Sequence, residues 1–175
     1  IGQLAYIIMG VGLASSMGVV GGMTHIAMHA FGKITLFFCA GAIYVATGQK
    51  YISKMVGLGR RMPYTMGAFF IGALSVTGLP PTGGFISKWT MLIGAMDAGQ
   101  LGIMVIYLVS SLLNACYFFP IVYKAFFCTD KESQYEDKVQ EAPLFCLLPP
   151  LFTAAASVAL FFFPQVFMDF AKLMV

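Results

Sequence analysis

From Val19 to Thr47 the sequence carries one charged side chain, Lys33. About 20 predominantly apolar residues suffice for an α-helix to cross the hydrocarbon layer of a bilayer. Two further runs of this kind follow. Lys124 is the lone charge in residues 101–127, and residues 143–163 hold none. Hydrocarbon offers no partner to a free backbone N–H or C=O, so such runs must satisfy their hydrogen bonds internally, as helices. Composition closes the soluble alternative: the 175 residues are 59% hydrophobic and 10% charged, against about 25% charged in an ordinary soluble domain. A chain of this size keeps too much surface exposed to hide that apolar excess from water. The expected fold class is all-α, a multi-pass transmembrane helix bundle.

A first apolar helix over 1–13 is too short to span alone. It starts at Ile1 with no basic leader or cleavage site, so it is not a signal peptide and reads as the continuation of a longer protein. The small residues from Ala14 to Gly22 lead into a helix over 19–47, and a polar connection covers 48–63. The next stretch is interrupted by Gly78-Leu79-Pro80-Pro81-Thr82-Gly83-Gly84. Two prolines remove two backbone donors and push the residues before them out of the helical region. Residues 64–76 and 85–96 therefore read as half-helices, each about 20 Å long and too short to span alone. Together they cross the membrane once as one discontinuous helix. Irregular backbone at that depth is tolerated only inside protein or beside a wet cavity. Helices over 101–127 and 143–163 follow, the second with a predicted kink at Pro149-Pro150. The partly amphipathic tail after Pro164 carries Asp169 and Lys172. The chain thus divides into a main unit (1–128), a charged loop (129–142), and an additional C-terminal helix with its tail (143–175).

The connections at 48–63 and 129–142, with the adjoining helix end, hold Lys50, Lys54, Arg60, Arg61, Lys124, Lys131 and Lys138; the opposite side holds only Lys172, in the tail. This positive-inside bias predicts both basic connections in the cytoplasm and the protein in the cell membrane. The scattered charges, net +3, form no nucleic-acid patch. The acidic loop residues Asp130, Glu132, Glu136, Asp137 and Glu141 read as solvated charge rather than ion capture. Cys39, Cys116, Cys128 and Cys146 are far apart and read as small apolar helix residues, not a metal or redox site.

Assigning the other basic residues to loops and tail leaves Lys33 and Lys88 inside apolar spans. Burying a lysine there costs about 2.5 kcal/mol or more, and such residues usually face the bundle interior and mark an ion path. The competing reading is snorkelling of the ammonium to the interface. His25, His29 and Lys33 follow at i, i+4 and i+8, stacked along one helix face over about 12 Å of rise. Imidazole gives and takes a proton near neutral pH, so the row suits proton transfer, with ordered water filling the gaps. An H-x-x-x-H metal pair and histidines bonding neighbouring helices as structural glue are the alternatives. Lys88 sits about one turn into the second half-helix, whose N-terminus carries partial positive charge that disfavours an ammonium. Broken helices with ends facing a central site recur in transporters, against the plainer reading of a turn between re-entrant pieces. Tyr107, Ser110, Ser111, Asn114 and Tyr117 give the 101–127 helix one polar face, which helix packing explains equally well.

Three segments carry a resemblance: THIAMHAFGKITLFFCAGAI at 24–43, MVGLGRRMP at 55–63 and GALSVTGLPPTGGFISKW at 72–89. They resemble the proton-conducting antiporter family, which includes the large subunits of Mrp-type multisubunit Na+/H+ antiporters and the antiporter-like subunits of respiratory complex I. The SKW ending and the glycine–proline break are most similar to the D-type subunits of Mrp antiporters. Past the 101–127 helix the likeness is one of hydrophobicity only. The resemblance implies an inverted-repeat antiporter fold of which this chain is part of the second repeat. It makes Lys33 the central lysine, preceded by His25 and His29, and Lys88 the ionisable residue of the broken helix. Gly78, Pro80, Pro81, Gly83 and Gly84 form the break. The implied function is a membrane subunit of a monovalent cation/proton antiporter carrying protons through a half-channel. An antiporter-like subunit of complex I or a membrane-bound hydrogenase is the runner-up, and a non-transporting scaffold the reading of another class. Expected partners are other membrane subunits, the bilayer, protons and, as a second ion, Na+. No cofactor or metal site is expected, because nothing marks a site for NADH, flavin, iron–sulfur or quinone.

Overall fold

The computed structural model describes residues 2–128 and 139–175; Asp130, Lys131, Glu132, Glu136, Asp137 and Lys138 lie outside the described residues. The helices are α1 (Gly2–Gly12), α2 (Ser16–Thr47), α3 (Leu58–Arg61), α4 (Pro63–Thr77), α5 (Gly83–Asp97), α6 (Leu101–Phe127), α7 (Leu144–Phe162) and α8 (Gln165–Lys172). No strand occurs among the described residues. The long helix starts earlier than hydropathy suggests because Ser15 caps it. Its backbone is extended and its hydroxyl accepts from the Gly18 N–H at 3.1 Å, satisfying one of the free donors of the first turn. Gly48, at φ +69°, closes the other end in the left-handed conformation. The 48–63 connection contains a 3-10 turn, Ile52–Lys54, and the single-turn α3, short pieces for which the sequence carries no periodic signal.

The two halves of the broken helix lie end to end along α2. Running up α2, a Cβ on Gly18 or Gly21 would meet α1 or α5, Gly32 faces Ser75 of α4, and Cys39 Sγ reaches Thr65 O at 3.4 Å. Met91, Gly83, Ser75, Gly72 and Thr65 therefore follow one another down α5 and α4 as Gly21, Met28, Gly32, Leu36 and Cys39 follow one another up α2. The discontinuous helix makes one crossing antiparallel to α2, not a re-entrant loop. The 32-residue α2 is about 48 Å long at about 1.5 Å per residue, and the break falls against its middle.

Ser75, in the last turn of α4, is where four helices meet. It lies against Gly32 of α2 and Gly84 of α5 and accepts from Ser157 Oγ of α7 at 3.0 Å. Thr35 of α2 donates to Thr153 of α7 at 2.8 Å. So α7 packs on both halves of the broken helix, and it runs as a helix through Pro149 and Pro150. One apolar cluster, including Cys39, Ile43, Met66, Phe69 and Ala125, fills the end near the basic connections; a second, with Tyr6, Met91, Ala95 and Tyr107, fills the other. Outward-facing Phe37, Leu112, Leu113, Phe145 and Phe152 are more than half exposed, an arrangement that lipid accepts and water does not.

At one end the two basic connections touch. Gln140 N–H donates to Arg61 O at 2.8 Å, and Gly57 N–H to Lys124 O at 3.2 Å. Glu141 departs from the expectation of a solvated charge. Its carboxylate accepts from Tyr64 N–H and from Thr65 Oγ1, both at 2.7 Å. Those groups lie in the first turn of α4, where Met62 in the capping position has no side-chain acceptor to offer. A carboxylate suits that end because it meets free N–H groups and the positive pole of the helix.

Candidate proton-transfer site at the helix break

Gly78 ends α4 at φ +86°, with its N–H and that of Leu79 both donated to Leu74 O at 2.8 and 3.0 Å. Thr82 Oγ1 ties the turn by donating to Leu79 O at 2.7 Å, and α5 starts at Gly83. A Cβ on Gly84 would stand 1.9 Å from Ser75 O, so only glycine lets the second half-helix begin against the end of the first. The predicted break residues Gly78, Pro80, Pro81, Gly83 and Gly84 all fall between the last turn of α4 and the first turn of α5.

Lys88 is 8% exposed and folds back across this break. Its ammonium donates to Val76 O at 2.8 Å, Thr77 O at 3.1 Å and Ser111 Oγ at 3.3 Å, and lies 4.6 Å from the centre of the Tyr6 ring. Two of these acceptors are terminal carbonyls of α4, the negative pole of that half-helix. The side chain thus leaves the positive pole of α5 and delivers its charge to the negative pole of α4. Only the first of these poles is visible in the sequence. Gly78 makes the reach possible, since a Cβ there would come within 2.5 Å of Lys88 Cδ. The ammonium's hydrogen bonds go to carbonyl and hydroxyl oxygens, not to a carboxylate. An ion pair, Lys172–Asp169, lies far along the chain in α8.

His25 is 1% exposed. Its Nδ1 lies 2.8 Å from Ser87 Oγ and its Nε2 3.2 Å from Gln3 Oε1. Ser87 Oγ also donates to Gly84 O at 3.2 Å, and Gln3 Nε2 to Val76 O at 3.4 Å. With those donors so engaged, each ring nitrogen faces an acceptor, whereas a neutral imidazole has one N–H to give. In the neutral ring one partner must turn: the Ser87 hydroxyl to donate to Nδ1, or the Gln3 amide to present its NH2. Val76 O receives both Lys88 and Gln3, so protein atoms alone link the lysine and the histidine in one hydrogen-bonded cluster.

His29 stacks on His25 with ring centres 5.6 Å apart and planes 15° apart, and its Nδ1 is buried without a protein partner. Parallel rings do not converge their in-plane lone pairs on one ion. Lys33 departs from the sequence expectation of an interior position. It is exposed, with its ammonium 6.0 Å from the Phe37 ring centre. The row drifts by about 80° over eight residues of a 3.6-residue helix, which carries it from buried His25 through half-buried His29 to the outer face. His29 and Lys33 line one cavity of about 380 Å³ with Gln3, Asn114 and Tyr117. Lys88 borders a second cavity of about 460 Å³, with Tyr6, Tyr107 and Ser111.

Sequence reasoning missed Gln3, Tyr6 and Ser87. Gln3 and Tyr6 are polar-tipped residues one turn apart on short α1, and that spacing was the available signal. Of the polar face on α6, Ser111 and Tyr107 border the Lys88 cavity, while Tyr117 donates to Asn114 beside the other.

Residues 1–114 match a family described as "NADH:quinone oxidoreductase/Mrp antiporter, TM". The chain belongs to that family. It is 41% identical over 126 residues to the N-type subunit of the NADH-quinone oxidoreductase of Desulforudis audaxviator, covering 72% of this chain and 25% of the relative. It is 31% identical over 151 residues to the D-type subunit of the Na(+)/H(+) antiporter of Alkalihalophilus pseudofirmus, covering 86% of this chain and 31% of the relative. This family member thus spans a third or less of these curated relatives' length. In fold it is similar to a chain of the Mrp complex from Dietzia sp. DQ12-45-1b, with a TM-score of 0.83 at 24% identity, covering 97% of this chain and 39% of that one. That coverage takes the likeness through α7, beyond the segments whose sequence resembles the family. A chain of the membrane-bound sulfane sulfur reductase, an archaeal respiratory membrane complex, aligns with a TM-score of 0.75 at 27% identity, covering 89% of this chain and 26% of that one. The chain is a multi-pass membrane protein of this family, all-α and with one discontinuous helix.

Proposed function

We propose that this chain is part of a membrane subunit of a multisubunit monovalent cation/proton antiporter and carries protons through a half-channel. Lys88, His25, His29 and Lys33 are its stations, and water in the two cavities bridges what the protein does not. The observation that carries this reading is the Lys88 ammonium held at a helix break by two backbone carbonyls and a hydroxyl. A lysine engaged by neutral acceptors only can give up its proton without abandoning a carboxylate partner. The shared Val76 carbonyl supports a hand-over between Lys88 and the Gln3–His25–Ser87 group. His29 then extends the line toward Lys33 at the outer face, where another membrane subunit or a further part of the same protein covers it.

The runner-up is the same path driven by redox chemistry, in an antiporter-like subunit of complex I or a hydrogenase. The 41% identity to the N-type subunit of a quinone oxidoreductase favours it. Both readings need partner subunits, and the positive-inside bias supports a cytoplasmic side for the 48–63 and 129–142 connections. Proton flux in vesicles bearing the full-length protein in its complex, with Lys33→Ala and Lys88→Ala, tests the shared claim. Each variant is expected to lose at least nine-tenths of the flux with assembly intact. Undiminished flux in both would leave a scaffold whose lysines are structural.

A further inference from the structure

Tyr6 of α1 meets the Lys88 ammonium in two ways that the proton path itself does not explain. The residue is 3% exposed. Its ring face lies under the ammonium at 4.6 Å, and stacking on Tyr107, at 5.1 Å and 12° between planes, fixes the ring plane. Its hydroxyl donates to Tyr107 O at 3.1 Å and stands 3.2 Å from Ser111 Oγ. With that hydrogen committed to a carbonyl, the Tyr6 oxygen is the acceptor for Ser111. The Ser111 O–H therefore points at Tyr6, and its lone pair faces Lys88.

We propose that Tyr6 is the positioning residue of Lys88, its ring face holding the ammonium and its hydroxyl turning Ser111 into the third acceptor. This rests on the reading of Lys88 as a proton station. The ammonium has three hydrogens, and backbone carbonyls of α4 take two. The third has an acceptor only while Ser111 keeps its orientation. A π face attracts the cation and not the neutral amine, by about 0.5–2 kcal/mol, so Tyr6 favours the loaded station specifically. The titratable groups around Lys88 are Tyr6 on α1, His25 and His29 on α2 and Tyr107 on α6; among the described residues no carboxylate contact intervenes.

The test uses the full-length protein in its complex, with phenylalanine and mono-, di- and trifluorophenylalanine introduced at position 6. These rings are nearly equal in size and differ in the charge of the face. Proton flux is expected to fall stepwise along the series at limiting proton concentration, by about 2- to 30-fold from first to last. At saturating proton concentration the same proteins should converge, which a packing role does not produce. Tyr6→Leu removes both contacts and should behave as the end of the series. Flux equal across the phenylalanine series at limiting protons, with equal assembly, overturns the proposal and leaves the station reading standing. Wild-type flux in Lys88→Gln overturns the station reading, and the proposal with it.

Discussion

At the scale of single residues, the site depends on atoms that must be absent as much as on those present. Gly78 combines a left-handed backbone, unfavourable for other residues by about 1–2 kcal/mol, with a position where a Cβ would strike the Lys88 stem. Gly78→Ala is therefore expected to lower both the melting temperature of the purified complex and its proton flux. A variant matching wild type in both would contradict this role of the glycine at the break. Ser87→Ala strands Nδ1 of buried His25, which costs about 1–3 kcal/mol when a buried polar atom loses its partner. A lower melting temperature with normal assembly is the expected reading. Lys88 and the two histidines were legible in the sequence because a charge or an imidazole in an apolar run is conspicuous. Tyr6 and Gln3 were not, because their role depends on α1 packing beside α5 and α6, a contact between residues 101 positions apart in the case of Tyr6 and Tyr107. Lys33 was legible as a residue of the membrane but not as an exposed one. Deciding that needed the face of α2 that α4 and α5 cover.

At the scale of elements, the long helices followed from hydropathy to within about a turn, the short pieces at 52–54 and 58–61 did not, and the break followed from glycine and proline alone. The end-to-end alignment of α4 and α5 on α2 required the pairing of small residues, Gly21 with Met91 and Gly32 with Ser75, which periodicity does not specify. Gly84→Ala puts a Cβ into the Ser75 carbonyl and must separate the half-helices. It is expected to block stable assembly, seen as loss of the intact complex on size-exclusion chromatography. Glu141 illustrates the opposite failure of sequence reading. An acid in a charged loop reads as solvated, yet here it closes the open N-terminus of α4. Glu141→Ala should destabilise the complex by about 1–2 kcal/mol, measured as a lower melting temperature. An unchanged melting temperature would mean that the carboxylate does not act as a cap.

At the scale of the whole molecule, the chain is a bundle whose two basic connections meet at one end and whose buried lysine and histidines cluster near mid-length of its longest helix. In a protein freed of reactive native cysteines, cysteines at Lys50 and Gln140 should be labelled by a membrane-impermeant maleimide from the cytoplasmic side. A cysteine at Ala98 should be labelled from the other side, and Lys50 and Ala98 reacting from one side would break the single-crossing topology. The central claim is that a proton enters and leaves this arrangement on Lys88. Lys88→Arg tests it most directly, because guanidinium keeps the positive charge and the donors for Val76, Thr77 and Ser111 but does not release a proton in the working pH range. The measurement is proton flux in vesicles carrying the assembled full-length complex. An assembled Lys88→Arg protein is expected to show no flux; flux at the wild-type rate would contradict the claim.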